Sequence, residues 1–322
     1  PYAIPLDLRA FHWTELWGQL RRRVPDAPYH QGTAVARVEV SDEAAADLVF
    51  EDGSAERFDL VIFADGYRSF GREHVCPDAS LRYRGYMLWR GLLPETEVED
   101  APLGTDIPRL SYAHATGNAT AYFVPSEDGS TRAGDRIINW ACYIPLADDE
   151  VAAFMVDGDG VAREGSIPPG AMRPQEEDRL KALMRASLPD WYGSMIERTA
   201  GTFVQLIYTA RLADYARGRT CLIGDAGVVA PPFTGSGVFK GYQNVAGLLA
   251  QLSRTSDLDE ALTAWSSEQV RLGDRLLALG EQMEQAFIWD PIDLRTAEAD
   301  DVAAWWKAAV TFPEEFTYQA ES

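Results

Sequence analysis

The chain has 322 residues, 46% hydrophobic and 25% charged, which suffices for a sizeable core shared between two structural domains. Its 29 Lys and Arg stand against 50 Asp and Glu, and the formal charge of -21 repels phosphodiester backbones and anionic membrane surfaces, excluding both as partners. The acid excess reads as a solvated surface. Cys76, Cys142 and Cys221 are odd in number and far apart, and only four histidines are present, so neither a disulfide framework nor a zinc site is expected and a reducing cytoplasm fits best. No apolar run reaches the length of about 18 residues that a membrane span needs.

In chain order, Leu8–Arg23 carries helical spacing at Leu8, Phe11, Leu16 and Leu20, ends in a basic turn and meets Pro25. Thr33–Val40 and Asp47–Phe50 alternate as strands, and the turn Glu51-Asp52-Gly53 leads to a buried-type strand over Phe58–Ala64. Residues 1–80 thus read as the first part of a nucleotide-binding α/β domain. From Leu81 longer strands take over, at Tyr86–Leu92, Arg109–Ala115, Ala119–Pro125, Arg136–Ile144 and Thr202–Ala210, with a helix over Pro174–Ser187. That pattern predicts an inserted mixed-sheet domain over 81–210. The strand Thr220–Ile223 and a helix over Phe239–Leu252 return the chain to the first domain, over 211–252. A helical region closes the chain from 253 to 322. Its long helix repeats Leu262, Trp265, Leu272, Leu276, Leu279 and Met283 as a core stripe, and Thr296–Val310 places Val302, Trp305, Trp306 and Ala309 on one packing face.

Two motifs carry chemistry. Leu222–Gly237 reads L-I-G-D-A-G-V-V-A-P-P-F-T-G-S-G, a strand running into Gly224-Asp225 and then a Pro/Gly-rich loop before a helix. Gly224 lets the backbone leave the strand tightly, Asp225 can accept hydrogen bonds from a polyol chain, and Gly235 and Gly237 let backbone N–H groups approach a ring. A structural Asp capping a turn would look the same. The second motif, Asp65-Gly66-Tyr67-Arg68-Ser69-Phe70-Gly71-Arg72, follows the pattern D-G-x-x-S-x-x-R after a strand. Since open sheets bind ligands at the carboxyl ends of strands, Asp65 and Asp225 are expected at neighbouring strand ends.

In this order and spacing the two motifs resemble the FAD-dependent aromatic hydroxylases, the single-component flavoprotein monooxygenases built like p-hydroxybenzoate hydroxylase. Tyr83–Leu93 with Asn139-Trp140 is most similar to the 2,6-dihydroxypyridine hydroxylase branch. The resemblance implies an FAD-binding Rossmann-like domain with an inserted mixed β-sheet substrate domain and C-terminal helices. It also implies FAD contact at Asp65, Gly66, Arg72, Gly224, Asp225, Pro232, Gly235, Ser236, Gly237 and Val238. The family opens with a G-x-G-x-x-G strand-turn-helix for the FAD pyrophosphate, which this chain does not contain. The expectation is therefore of a fragment that starts after that segment, binds FAD poorly and can be inactive as it stands. The chain also departs from its relatives at Val228, where a His is common, at Phe239, where an Asn often stands, and at Trp13, where many have Arg. Lys240 looks like a lysine of the dihydroxypyridine branch.

For the other domain, strand alternation nominates Asn139 and Tyr143 on one face and Gln205 with Ile207 on another. Each polar group there is either a satisfied core residue or one that orients a ring. Arg90 could hold an anionic oxygen and His114 could act as a base, so Tyr143, Asn139, Arg90 and His114 are the candidate catalytic residues. Tyr86, Trp89, Gln205, Tyr208 and Pro231 are the candidate substrate contacts. By resemblance the reaction is hydroxylation of a phenolic or hydroxy-N-heteroaromatic small molecule, with NAD(P)H as co-substrate and O2, through a C4a-hydroperoxyflavin. A homodimer is compatible with the resemblance. The alternatives are another FAD-dependent oxidoreductase of the same fold, or a cofactor-free binding module derived from it.

Overall fold

The computed structural model describes residues 13–26, 29–42, 45–98, 103, 109–114, 117–294 and 296–311. Helix α1 (Trp13–Arg21) precedes strands β1 (Val35–Asp42), β2 (Ala45–Phe50), β3 (Ala55–Phe58) and β4 (Val61–Phe63), helix α2 (Phe70–Val75) and strand β5 (Arg82–Pro94). Strands β6 (Arg109–His114), β7 (Gly117–Val124) and β8 (Ile137–Pro145) lead to α3 (Asp148–Phe154), β9 (Ser166–Ile167), α4 (Pro174–Ser187), α5 (Asp190–Arg198) and β10 (Phe203–Thr209). The chain ends with β11 (Ala216–Arg217), β12 (Thr220–Leu222), α6 (Gly237–Leu252), α7 (Leu258–Glu284), a π-helical turn over Gln285–Trp289, and α8 (Ala299–Val310). No described helix is long and apolar enough to cross a membrane.

The chain divides into two compact units, one built from Pro1–Pro25, Tyr83–Ile207 and Glu284–Ala309, the other from Asp26–Arg82, Tyr208–Met283 and Val310–Ser322. The first holds the six-stranded sheet β6-β7-β8-β5-β10-β9. Long β-branched and aromatic runs build it, and β5 pairs with β8 antiparallel without interruption from Tyr86↔Pro145 to Pro94↔Ile137. One face carries Met87, Trp89, Leu93, Ile138, Trp140, Cys142, Ile144, Ala119 and Ala121, each no more than 5% exposed. Trp140 lies over Gly91, where an added Cβ would stand 2.8 Å from its ring and 2.6 Å from Thr199, and its Nε1 donates to Thr199 Oγ1 at 2.9 Å. Helix α5 closes on this face through Tyr192, whose hydroxyl donates to the Thr120 carbonyl at 2.6 Å. The expected stack of the last segment is present, with Phe287 against Trp305 and Trp306 at ring separations of 5.3 and 5.7 Å.

The second unit holds the antiparallel sheet β1-β2-β3 and the sheet β11-β12-β4. The single strand expected over Phe58–Ala64 is corrected here: Ala55–Phe58 pairs with β2, whereas Val61–Phe63 pairs parallel with β12. The apolar run is continuous because its two halves serve two sheets, a distinction that composition does not carry. Val61, Phe63, Cys221, Leu222, Tyr215, Leu248, Leu262, Trp265 and Leu277 form the core of this unit. Helix α6 buries Lys240, Asn244 and Leu248, while Val238, Tyr242, Val245 and Leu249 are exposed.

Candidate functional site

β12 and β4 run parallel with Leu222 beside Phe63, and Ile223 N–H extends the ladder to the Phe63 carbonyl at 3.0 Å. Asp225 and Asp65 therefore leave neighbouring strands at their carboxyl ends, as the sequence predicts. After β4 the chain turns at Gly66, whose φ of 82° is left-handed and open to glycine. Ser69 caps α2 by accepting from Arg72 N–H at 2.9 Å, and Asp65 Oδ2 accepts from Gly71 N–H at 3.1 Å, so two orphan donors of the first turn are satisfied. Gly71 is required by close packing, since an added Cβ would fall 2.1 Å from the Phe63 ring.

Arg72 has a different task from the cofactor contact expected of it. It is 3% exposed, and its guanidinium donates to the carbonyls of Tyr67 (2.6 Å), Asp225 (2.5 Å), Ala226 (3.1 Å) and Gly227 (3.2 Å). Burial pulls its pKa below the usual range, opposed by the nearby Asp65 and Asp225 charges. The Asp65–Arg72 motif thus clamps the Gly224–Gly237 loop by its main chain.

From the other side Lys240, which the sequence-based list of contacts omits, donates to Asp225 Oδ1 and to the Val228 carbonyl, both at 2.6 Å. The lysine is 7% and Asp225 55% exposed at the side chain. Asp225 Oδ2 has no partner among the described residues and faces outward. Gly224, at φ 61°, donates its N–H to Asn244 Oδ1 at 2.8 Å, and Asn244 in turn donates to Gln269 at 2.8 Å. Tyr215 supports the same loop: its hydroxyl accepts from Val228 N–H at 3.1 Å, and its ring fills the space a Cβ on Gly227 would need. Val228, at the position where relatives carry His, is buried. Lys240, Asn244 and Tyr215 lie 12 to 25 residues from their partners, and only the apolar-to-polar change at position 240 in a helix start marks one of them in the sequence.

The loop ends in a 3-10 turn over Pro232–Thr234 and left-handed Gly235, φ 61°. Helix α6 begins at Gly237, two residues earlier than expected, and no side chain caps it. Its first N–H groups and its dipole are therefore free to face an electron-rich group. Cβ positions built on Gly66, Gly224 and Gly237 meet nothing within 4 Å. An open carboxylate oxygen, three unfilled glycine positions and an uncapped helix start suit the ribityl chain and ring of a flavin. Pro231, expected as a substrate contact, is buried against α7, where Gly280 makes room for its ring. Tyr208 stacks on Tyr67 at 6.4 Å in the same unit.

In the other unit, the second face of the six-stranded sheet is polar. Register puts Tyr86, Leu88, Arg90 and Leu92 of β5 on it, with Asn139, Ala141 and Tyr143 of β8 and Asn118, Thr120 and Tyr122 of β7. Four sequence candidates, Tyr86, Arg90, Asn139 and Tyr143, are thereby brought together. Trp89 is not: it points to the opposite face, fully buried and edge-on to Trp140 at 5.0 Å. Its expected substrate contact is corrected to a core role, because successive strand residues face opposite ways. Tyr86 stands edge-on to Tyr143 at 6.3 Å, and its hydroxyl donates to Glu284 at 3.0 Å. Burial, then the Glu284 charge, drives its pKa far above the usual phenol range. Glu284 also accepts from Arg84 at 2.7 Å and from Trp289 Nε1 at 3.2 Å. Gln205 is exposed and pairs with Ser166 of β9 at the sheet edge. His114 ends β6 opposite Gly117, and its side chain lies outside the described residues.

Comparison with known proteins shows what the chain is similar to. A family model described as FAD binding domain-like matches residues 83–209. The 2,6-dihydroxypyridine 3-monooxygenase of Paenarthrobacter nicotinovorans is 24% identical over 85% of this chain and 68% of its own length. The 3-amino-4-hydroxybenzoate 2-monooxygenase of Streptomyces cremeus is 28% identical over 83% of this chain and 59% of its own. The solved 2,6-dihydroxypyridine-3-hydroxylase from Arthrobacter nicotinovorans superposes with a TM-score of 0.77 at 20% identity, over 88% of this chain and 72% of that one. The chain thus shares the α/β fold of FAD-dependent aromatic hydroxylases, and it spans about three fifths to two thirds of the curated relatives' length.

Proposed function

We propose that this protein acts as an FAD-dependent monooxygenase that hydroxylates a phenolic or hydroxy-N-heteroaromatic small molecule, with NAD(P)H and O2 as co-substrates. The observation that carries the reading is the half-exposed Asp225 carboxylate, whose Oδ2 has no partner among the described residues, on a loop clamped by Arg72 and Lys240. The bound flavin would supply the redox chemistry, taking up hydride equivalents and activating oxygen for transfer to the ring. Asp225 would accept from a ribityl hydroxyl, while Lys240 fixes its other oxygen. The uncapped N–H groups of Gly237 and Val238 would hold the electron-rich edge of the ring system. On the six-stranded sheet, Leu88, Ala141 and Tyr143 supply apolar surface that excludes water from the aromatic substrate. Arg90 and Asn139 orient it. The three unpaired cysteines support a cytoplasmic setting for the same reading.

Riboflavin and FAD titrations of the purified chain, followed by flavin fluorescence, test the assignment. Riboflavin carries the ring and ribityl chain without phosphates, so it isolates this cluster from any pyrophosphate site. Asp225→Ala should weaken both ligands by about 1.5–3 kcal/mol, the range for a charge-assisted hydrogen bond. Equal affinity of the variant and the parent, or no binding of either ligand by the parent, rejects the flavin reading.

A further inference from the structure

The polar sheet face holds two buried groups that the protein does not satisfy. Asn139 is 5% exposed; its Nδ2 donates to the Tyr122 hydroxyl at 3.1 Å, and its Oδ1 has no hydrogen-bond partner. Arg90 stacks over the Phe203 ring at 5.2 Å, its Nε is buried without an acceptor, and it meets no carboxylate among the described residues. Strands β5, β7, β8 and β10 contain no Asp or Glu at all, although the chain as a whole carries 50 acidic residues. The carboxylate found at this face among the described residues, Glu284, is already engaged by Arg84, Tyr86 and Trp289. A cation and a carbonyl oxygen left open on a largely buried surface are costly unless something from outside completes them.

Their arrangement restricts what that can be. Asn139 lies opposite Leu92 and Arg90 opposite Ala141, so the two are diagonal neighbours across β5 and β8 on one face. Such neighbours are about 7–8 Å apart at the backbone, within reach of one six-membered ring and its substituents. Arg90 offers donors with a positive charge and Asn139 offers an acceptor, held in that sense by its bond to Tyr122. We infer that this pair determines specificity in the reaction proposed above, selecting a ring edge that carries an oxyanion or carbonyl oxygen beside a hydrogen-bond donor. A hydroxy-N-heteroaromatic ring, with O⁻ or C=O next to N–H or O–H, has that edge. A ring carboxylate does not, because its second oxygen would meet Asn139 Oδ1 acceptor to acceptor. The inference rests on the monooxygenase reading for its biological meaning and on this face alone for its chemistry.

Calorimetric titration of the chain with 2,6-dihydroxypyridine and with 4-hydroxybenzoate tests it, with FAD binding measured on the same preparation. The dihydroxypyridine is expected to bind at least about tenfold more tightly, the ratio that one well-made polar contact confers. Arg90→Gln should weaken it about tenfold or more, with Arg90→Lys intermediate. Asn139→Leu should do the same and erase the preference, whereas Asn139→Asp, which keeps an acceptor, should retain it. Thermal melting of each variant identifies any that fail to fold, and Arg90→Lys and Asn139→Asp are the conservative variants on which the decision then rests. Equal or tighter binding of 4-hydroxybenzoate, binding of neither ring, or a gain of carboxylate binding through Asn139 overturns the inference. Ring preference without FAD binding would instead reject the flavin reading and leave this one standing.

Discussion

The loop cluster around Asp225 and the polar face of the six-stranded sheet both bury polar groups, but they treat them in opposite ways. In the loops nearly every group is completed from within. Arg72 makes four bonds to carbonyls, Lys240 makes two, and Asn244 and Tyr215 each hold a backbone N–H. Among the described residues, Asp225 Oδ2 and, beside the clamp, His74 Nε2 are left over. On the sheet face Arg90 and Asn139 are left open, while the opposite face of the same sheet is apolar and closely packed, with the Trp89 indole N–H its one unpaired polar atom among the described residues. A region that satisfies itself has a geometry set before any ligand arrives, and one that does not is complete only with a ligand in place.

The largest expected effect breaks the self-satisfied region. Arg72→Met leaves four carbonyls in and around the Asp225 loop without a donor, and should lower unfolding free energy by about 3–5 kcal/mol, the range for breaking a buried charged network. Arg72→Lys should recover little, because an ammonium lacks the planar fork that reaches several carbonyls at once. Urea denaturation measures both. A loss below about 1 kcal/mol in Arg72→Met would mean that the clamp does not hold the loop.

A second comparison uses the two faces of one sheet. Trp140→Leu removes an indole that packs over Gly91 and donates to Thr199, and should cost about 3 kcal/mol. Asn139→Leu, one residue away in sequence and on the other face, should change stability by no more than about 1 kcal/mol. It loses a bond to a partly exposed tyrosine but also removes an unpaired buried carbonyl. The same urea experiment separates them, and equal losses would show that the two faces are equally committed to folding.

What could be read from the sequence follows the same division. The residues of D-G-x-x-S-x-x-R and G-D were legible because their work is local: a left-handed turn at Gly66, a cap at Ser69, a strand end at Asp225. Where Arg72 reaches was not, since three of its four partners stand more than 150 positions away. Lys240 was noticed as a residue type but not as the partner of Asp225, for the same reason. The grouping of Trp89 with Tyr86 and Arg90 failed although the strand's period of two separates position 89 from 86 and 90. The break between β3 and β4 was hidden because both halves are apolar. Nothing local showed that Asn139 and Arg90 would be left unpartnered, which depends on what the neighbouring strands do not supply.

The smallest expected effect is a pH dependence seated beside the clamp. His74 lies in α2, two residues after Arg72, with its Nε2 buried and unpartnered and its carbonyl accepting from Arg217 at 3.1 Å. Burial, with the Arg217 charge adding to it, holds the imidazole below its usual 6.5, so the folded protein keeps it neutral where the unfolded chain begins to protonate. The unfolded state then binds more protons, and stability must fall as pH drops through 6.5 toward the lowered folded value. Above about pH 7.5 both states are neutral at this site and it contributes no slope. His74→Gln cannot titrate. Urea midpoints at pH 7.5 and 5.5 should therefore converge in the variant relative to the parent, and an equal acid-induced loss in both would place the sensitivity elsewhere than in α2.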